Sequence, residues 1–218
     1  MRRSYIDKVI KDYYSKISKI YEYSLYEDRP ECMVEEQKII EKFLNYLVGD
    51  KILDIGCGTG YWLAKVEGKK KIKYGLDYCK EMIKEAQTKK IKLLIGDIRE
   101  LPIKDNSIDS IICFFVLQHM TSHKKLKKAV EELYRICKFG GNILTAENIF
   151  NSSGEIINKC KLEVESWPKD YGMSPIKIYR RLTNTKELEK IFSKLGMKVL
   201  DFESKNNVFI YALKKCQN

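Results

Sequence analysis

The sequence predicts an α/β protein: a doubly wound, mostly parallel sheet of seven strands, with helices on both faces and an antiparallel C-terminal hairpin. Three observations lead there. Short β-branched runs alternate with helix-length amphipathic segments through the middle of the chain. A glycine-rich turn, GCGTG at 56–60, directly follows the first of those runs. The last two apolar runs lie close enough to pair as a hairpin.

Residues 4–48 read as two helices, broken by the EDRPE turn around Pro30. The strands are KILDI (51–55), IKYGLD (72–77), IKLLIG (91–96), SIICFF (110–115) and NILTAE (142–147). Between them, YWLAKVEG, KEMIKEAQTKK and HKKLKKAVEELYRICKFGG read as helices, the last stopped by Gly140–Gly141. Residues 148–182 show no clear period and read as an inserted loop or small lid. A helix follows, with Asn184 and Glu187 as its capping pair and Leu188, Ile191, Phe192 and Leu195 as its apolar stripe. Gly196 ends it, and KVLDFES and NNVFIYALKK form the hairpin, turning at Lys205–Asn206.

Composition excludes several classes. At 218 residues, 44% apolar and 33% charged, the chain can bury a sizeable core. No run of about 18 apolar residues is present, and MRRSYIDKVIKDYY lacks the apolar core of a secretory signal. The seven cysteines are scattered without a CxxC, which predicts reduced thiols, no metal site and a cytoplasmic protein. The net charge of +11 admits two readings. EGKKKIKY, QTKKIKLL and SHKKLKKAV could form a basic surface for RNA, or could simply solvate helix faces.

Glycines at every second place after a strand let backbone approach a ligand where a Cβ would collide. GxxxxGK[ST] is absent, so this is not a phosphate-binding loop of that type. The dinucleotide spacing GxGxxG fails because Tyr61 stands at its third glycine. What remains is Asp54-x-Gly56-x-Gly58-x-Gly60, with Cys57 inside the loop. An acid before the glycines would repel a pyrophosphate and suits a ligand end carrying positive charge.

At this point the chain resembles the class I S-adenosylmethionine-dependent methyltransferases, over about residues 40–214. The resemblance rests on the acid and GxGxG loop, Asp77 about twenty residues on, GDIRELP at 96–102, the FFVLQHM segment and the KFGG turn. It implies a Rossmann-like sheet and S-adenosylmethionine as cofactor, with S-adenosylhomocysteine as product. Asp77 would hold the ribose hydroxyls, while Tyr78 and Met82 would pack on the adenine. Asp97 and Ile98 would meet the adenine edge, and Phe114 the methionine part. It also divides the chain into an N-terminal helical cover at 1–48 and a methyltransferase domain at 49–218, with the lid-like insertion at about 148–182.

His119, just past the fourth strand, is the candidate general base, or else only shapes the pocket. Tyr13, Tyr14 and Tyr21 on the cover, and Trp167, Tyr171 and Tyr179 in the insertion, are candidates to close on substrate. No [DNS]PP[YFW] motif and no Pro-Cys pair after the fourth strand is present, which argues against base methylation of those two kinds. A small-molecule acceptor is the first expectation, with tRNA or protein behind it. A catalytically silent binding subunit and a nicotinamide oxidoreductase are the other classes. The intact Asp54, Gly56, Gly58, Gly60, Asp77 and Asp97 favour an active methyltransferase over both.

Overall fold

The structure is a computed structural model describing residues 2–22, 31–87, 89–148, 155–157, 160–165, 176–181 and 185–217. In chain order the elements are α1 (Arg2–Ile17), α2 (Glu31–Phe43), β1 (Lys51–Ile55), α3 (Tyr61–Lys65), β2 (Ile72–Asp77), α4 (Lys80–Ala86), β3 (Lys92–Ile95) and β4 (Ile108–Phe114). They continue with α5 (His123–Ile136), β5 (Cys137–Asn148), β6 (Glu155–Ile157), β7 (Cys160–Glu165), β8 (Ile176–Arg181), α6 (Thr185–Lys194), β9 (Met197–Lys205) and β10 (Val208–Lys215).

Seven strands form one sheet in the order β3-β2-β1-β4-β5-β10-β9. β1 to β5 run parallel, and β10 is antiparallel to both β5 and β9. The central strands are apolar on both sides because helices cover both faces. Leu53, Ile111 and Cys113 point towards Leu126, Val130 and Leu133 of α5. Ile52 and Ile112, one residue away, point towards Ile40, Trp62 and Leu63 on the other side. The expected sheet, its hairpin and its two helical layers are all present. The order reverses between β1 and β4, and ligands of such sheets lie outside the carboxyl ends of the strands at that point.

The observed elements depart from the expected ones in three places. α5 stops at Ile136 rather than at the glycines, because Cys137 turns to an extended conformation and pairs with Ile108 of β4. The ammonium of the buried Lys215 takes the carbonyls of Tyr134 and Cys137, at 2.9 and 3.0 Å, which satisfies the helix end. Gly141 serves close packing instead, since a Cβ there would sit 2.6 Å from the Asp109 carbonyl oxygen. The insertion, expected as a loop, contains β6, β7 and β8 as a three-stranded antiparallel sheet. The hairpin turn falls on Asn206–Asn207, one residue later than expected, with Asn206 at φ 52° as the turn requires.

Asn184 lies outside the described residues. Glu187 receives Arg181 Nη2 and pairs with His123 Nδ1, at 2.6 and 2.8 Å. α1 lies across the start of α4 and the strand β8, where Tyr13 and Ile17 bury themselves with Cys79, Met82 and Ile178.

Candidate active site

The loop after β1 folds back on β2: the N–H groups of Gly56 and Cys57 both donate to the Leu76 carbonyl, at 2.7 and 3.1 Å. Gly56 adopts φ 72°, and a Cβ on it would lie 2.2 Å from Val116 Cγ2. Gly58, at φ 52°, has room: a Cβ there would meet only the Tyr21 ring, at 3.8 Å. The first glycine therefore admits the segment after β4, whereas the second keeps open the space under α1.

Asp77, at the end of β2, holds this loop. Its Oδ2 accepts from Gly58 N at 2.9 Å and its Oδ1 from Cys79 N at 2.7 Å. Burial raises its pKa, and the N–H bonds from Cys79, Gly58 and Tyr78 oppose that rise. Asp54 is more deeply buried. Its carboxyl is pushed well above the usual range by burial and then by the Asp77 charge, and its Oδ2 has no hydrogen-bond partner among the described residues.

One cleft brings most of the predicted residues together. Gly56 and Gly58 line it, as do Asp77, Tyr78 and Met82 after β2, and Asp97 and Ile98 after β3. Phe114 and His119 follow from β4, and Tyr14 and Tyr21 close it from the N-terminal side. Asp54, Cys57 and Gly60 do not line it: Cys57 packs against Gly75 of β2 and Gly60 against Ile91. Tyr13 is buried in the α1–α4–β8 contact rather than in the cleft. Trp167 and Tyr171, and the side chain of Tyr179, lie outside the described residues.

His119 sits on the short 3-10 turn Leu117–His119, almost fully buried, and its Nε2 is 2.8 Å from the Tyr14 hydroxyl. Sequence reasoning missed the charged cluster at the other end. Arg99 Nε donates to both Asp97 oxygens, at 2.8 and 3.0 Å, and its Nη2 also reaches Asp97. Arg99 Nη1 continues to Asp7 of α1 at 3.0 Å, and Lys125 Nζ meets the same carboxylate at 2.6 Å. Burial raises the Asp97 pKa, but the Arg99 bonds outweigh it and hold Asp97 below the usual carboxylate range. The Asp-x-Arg spacing was the available signal; Asp7, some ninety residues away, gave none.

A doubly wound sheet with a glycine loop and a strand-end acid at its switch point defines an α/β protein with a cleft where such sheets hold their ligands. Residues 53–145 match the family described as "Methyltransferase domain". Over 204 residues the chain is 32% identical to "Uncharacterized protein MJ1252" of Methanocaldococcus jannaschii, covering 88% of this chain and 77% of that protein. It is 34% identical over 116 residues to a demethylmenaquinone methyltransferase of Geobacillus sp., 49% of this chain and 48% of the relative. With a probable tRNA methyltransferase 9B of Bos taurus it shares 32% over 96 residues, 44% of this chain and 21% of that protein. The chain thus spans about half the length of the first of these two enzymes and a fifth of the second. Among solved structures, the DhpI–SAH complex superposes with a TM-score of 0.76 at 15% identity, covering 98% of each chain.

The chain belongs to the class I S-adenosylmethionine-dependent methyltransferases. The residues present fit that cofactor: the loop leaves Gly58 free of any Cβ in the cleft, and the lining supplies carboxylates at two strand ends with Met82 and Ile98 between them. No helix among the described residues is long and apolar enough to cross a membrane.

Proposed function

We propose that the protein transfers the methyl group of S-adenosylmethionine to a small-molecule acceptor seated between α1 and the segment after β4. The observation that carries this reading is the contact of Tyr14 on the cover with His119 beyond β4, which closes one cleft over the glycine loop. Asp77 would hold the ribose, Tyr78, Met82 and Ile98 would flank the adenine, and Asp97, fixed by Arg99, would face its edge. The backbone of Phe114 and Gly56 would border the methionine part.

The cofactor supplies a methyl already activated on a sulfonium, so the chain's own task is alignment and exclusion of water. Positioning of that kind can supply about 7–11 kcal/mol of a barrier. Phe115, Val116 and Met120 give the acceptor side an apolar wall. The His119 Nε2, which meets the Tyr14 hydroxyl at 2.8 Å, would take a proton from an acceptor that carries one.

The demethylmenaquinone methyltransferases are named for a small acceptor and the 9B proteins for tRNA, so the relatives leave two acceptor classes. The lysines of α5 favour the small molecule. On α5, Lys127 and Lys128 pair with Glu131 and Glu132 of the same helix, and Lys125 pairs with Asp7. Such pairs describe a solvated helix face rather than a track for phosphates.

The test incubates the protein with methyl-labelled S-adenosylmethionine and separated protein, RNA and metabolite fractions of a cell extract, with Asp77→Ala as control. Label in the metabolite fraction, lost with the variant, is expected. Label in RNA instead would overturn the acceptor class.

A further inference from the structure

Glu147 is an acid at the buried end of β5, and it takes no part in the cleft described above. It is fully buried near the carboxyl end of β5, one residue past the Phe114–Ala146 pairing of β4 with β5, and opposite Phe209 of β10. It does not line the cleft. Its two oxygens each accept one backbone N–H from the turn after β4: Oε1 from Leu117 at 2.8 Å, and Oε2 from Gln118 at 3.0 Å. These N–H groups open a helical turn and have no carbonyl of their own. An apolar residue at 147 would leave both buried and unpaired.

The neighbouring bonds all point the same way. Phe115 N donates to the Ala146 carbonyl at 2.7 Å, and Asn148 Nδ2 to Gln118 Oε1 at 3.0 Å. Gln118 Nε2 returns to the Phe115 carbonyl at 3.1 Å. Phe115 itself stands at φ 62°, a conformation that a bulky residue keeps only when its surroundings hold it there. The segment thus held carries Val116, which fills the space left by Gly56, and His119, which meets Tyr14.

We propose that Glu147 is the positioning residue of the acceptor side: its carboxyl group clamps the turn after β4 and so sets where His119 stands over the cleft. The inference rests on the reading of His119 as the group that faces the acceptor. Glu147 touches neither cofactor nor acceptor and acts only through the turn.

The chain has two histidines, His119 and His123, so imidazole NMR spectra of histidine-labelled protein report the position directly and need no acceptor. The experiment compares wild type with Glu147→Gln at about pH 9, where the carboxylate is ionised. The amide keeps one acceptor and turns an NH₂ towards the other N–H. The His119 signals should shift or split while those of His123, held by Glu187, stay in place. S-adenosylhomocysteine should still bind. If Glu147→Gln fails to fold, Glu147→Asp, which keeps the charge but withdraws it by one methylene, gives the same readout.

Coincident His119 signals in wild type and variant would overturn the proposal. Equal movement of His123 would do so too, because it would mean a general loosening of the fold. Once an acceptor is known, kcat should fall by up to about 10²-fold with KM little changed, as expected for a misplaced group. A His119→Ala variant with unchanged turnover would remove the base reading, while the spectral effect of Glu147→Gln would remain to be judged by itself.

Discussion

Gly56 and Gly58 both adopt left-handed backbone in the same loop, yet replacing them by alanine should do different things. At Gly56 the new methyl would meet Val116 Cγ2 at 2.2 Å, so either the loop or the segment after β4 must move. The backbone strain costs about 1–2 kcal/mol and the overpacking about 1–3 kcal/mol. A total of about 2–5 kcal/mol corresponds to a melting temperature lower by roughly 4–20 °C in a domain of this size. At Gly58 the methyl finds ordinary contact with Tyr21 at 3.8 Å, so only the strain remains, roughly 2–8 °C. That methyl, however, enters the cleft. Thermal unfolding and calorimetric titration with S-adenosylhomocysteine read the two effects separately. Gly56→Ala should lose mainly stability, and Gly58→Ala mainly affinity. Pairing Gly56→Ala with Val116→Ala should return the overpacking part and leave the strain. Equal melting temperatures for the two single variants, or no recovery in the double one, would refute the reasoning.

Three further outcomes are expected. His119→Ala should lower turnover by about 10²–10⁴-fold if the imidazole takes the acceptor's proton, with S-adenosylhomocysteine affinity nearly unchanged; unaltered turnover would reduce it to a wall of the pocket. Asp7→Ala removes the carboxylate shared by Arg99 and Lys125, a partly exposed contact worth about 1–2 kcal/mol, so amide exchange in α1 should speed up roughly 5–30-fold. Exchange confined to the wild-type rate would show that α1 is held by its apolar face alone. The last concerns pH. Burial pushes the Glu147 carboxyl up to about 8 from 4.5, against the N–H bonds of Gln118, Leu117 and Val116. The folded chain therefore keeps that proton longer than the unfolded chain, and the associated stability, complete below 4.5, is lost as pH rises towards about 8. Cys113, the thiol that feels the Glu147 charge from β4, is pushed well upwards by burial and stays neutral across that window. Glu147→Gln cannot lose a proton, so its melting temperature should fall less between about pH 5 and 8 than that of wild type. Parallel profiles would contradict the buried ionisation.

Much of this protein is local and could be read from the chain. Alternation of apolar runs placed β1, β2, β4, β9 and β10 within a few residues, because a strand's burial repeats over neighbouring positions. The glycine loop and Asp77 were legible for the same reason: a left-handed turn and a strand-end acid are properties of a short segment. Where local signals misled, a distant residue had the deciding part. The helix end at Ile136 depends on Lys215, some eighty positions away, and the three strands of the insertion depend on one another.

The site divides along the same line. The sequence by itself determined the sheet, the glycine loop after β1 and the acids Asp77 and Asp97 that end up in the cleft. Only the tertiary structure decided what reaches those groups from afar: Asp7 on the Arg99 that holds Asp97, Tyr14 on His119, Val116 against Gly56, and Glu147 under the turn that bears the histidine. Those pairings join segments 30 to 105 residues apart. No period or motif encodes them, since a contact across the fold is set by where whole elements pack and not by the residues beside it.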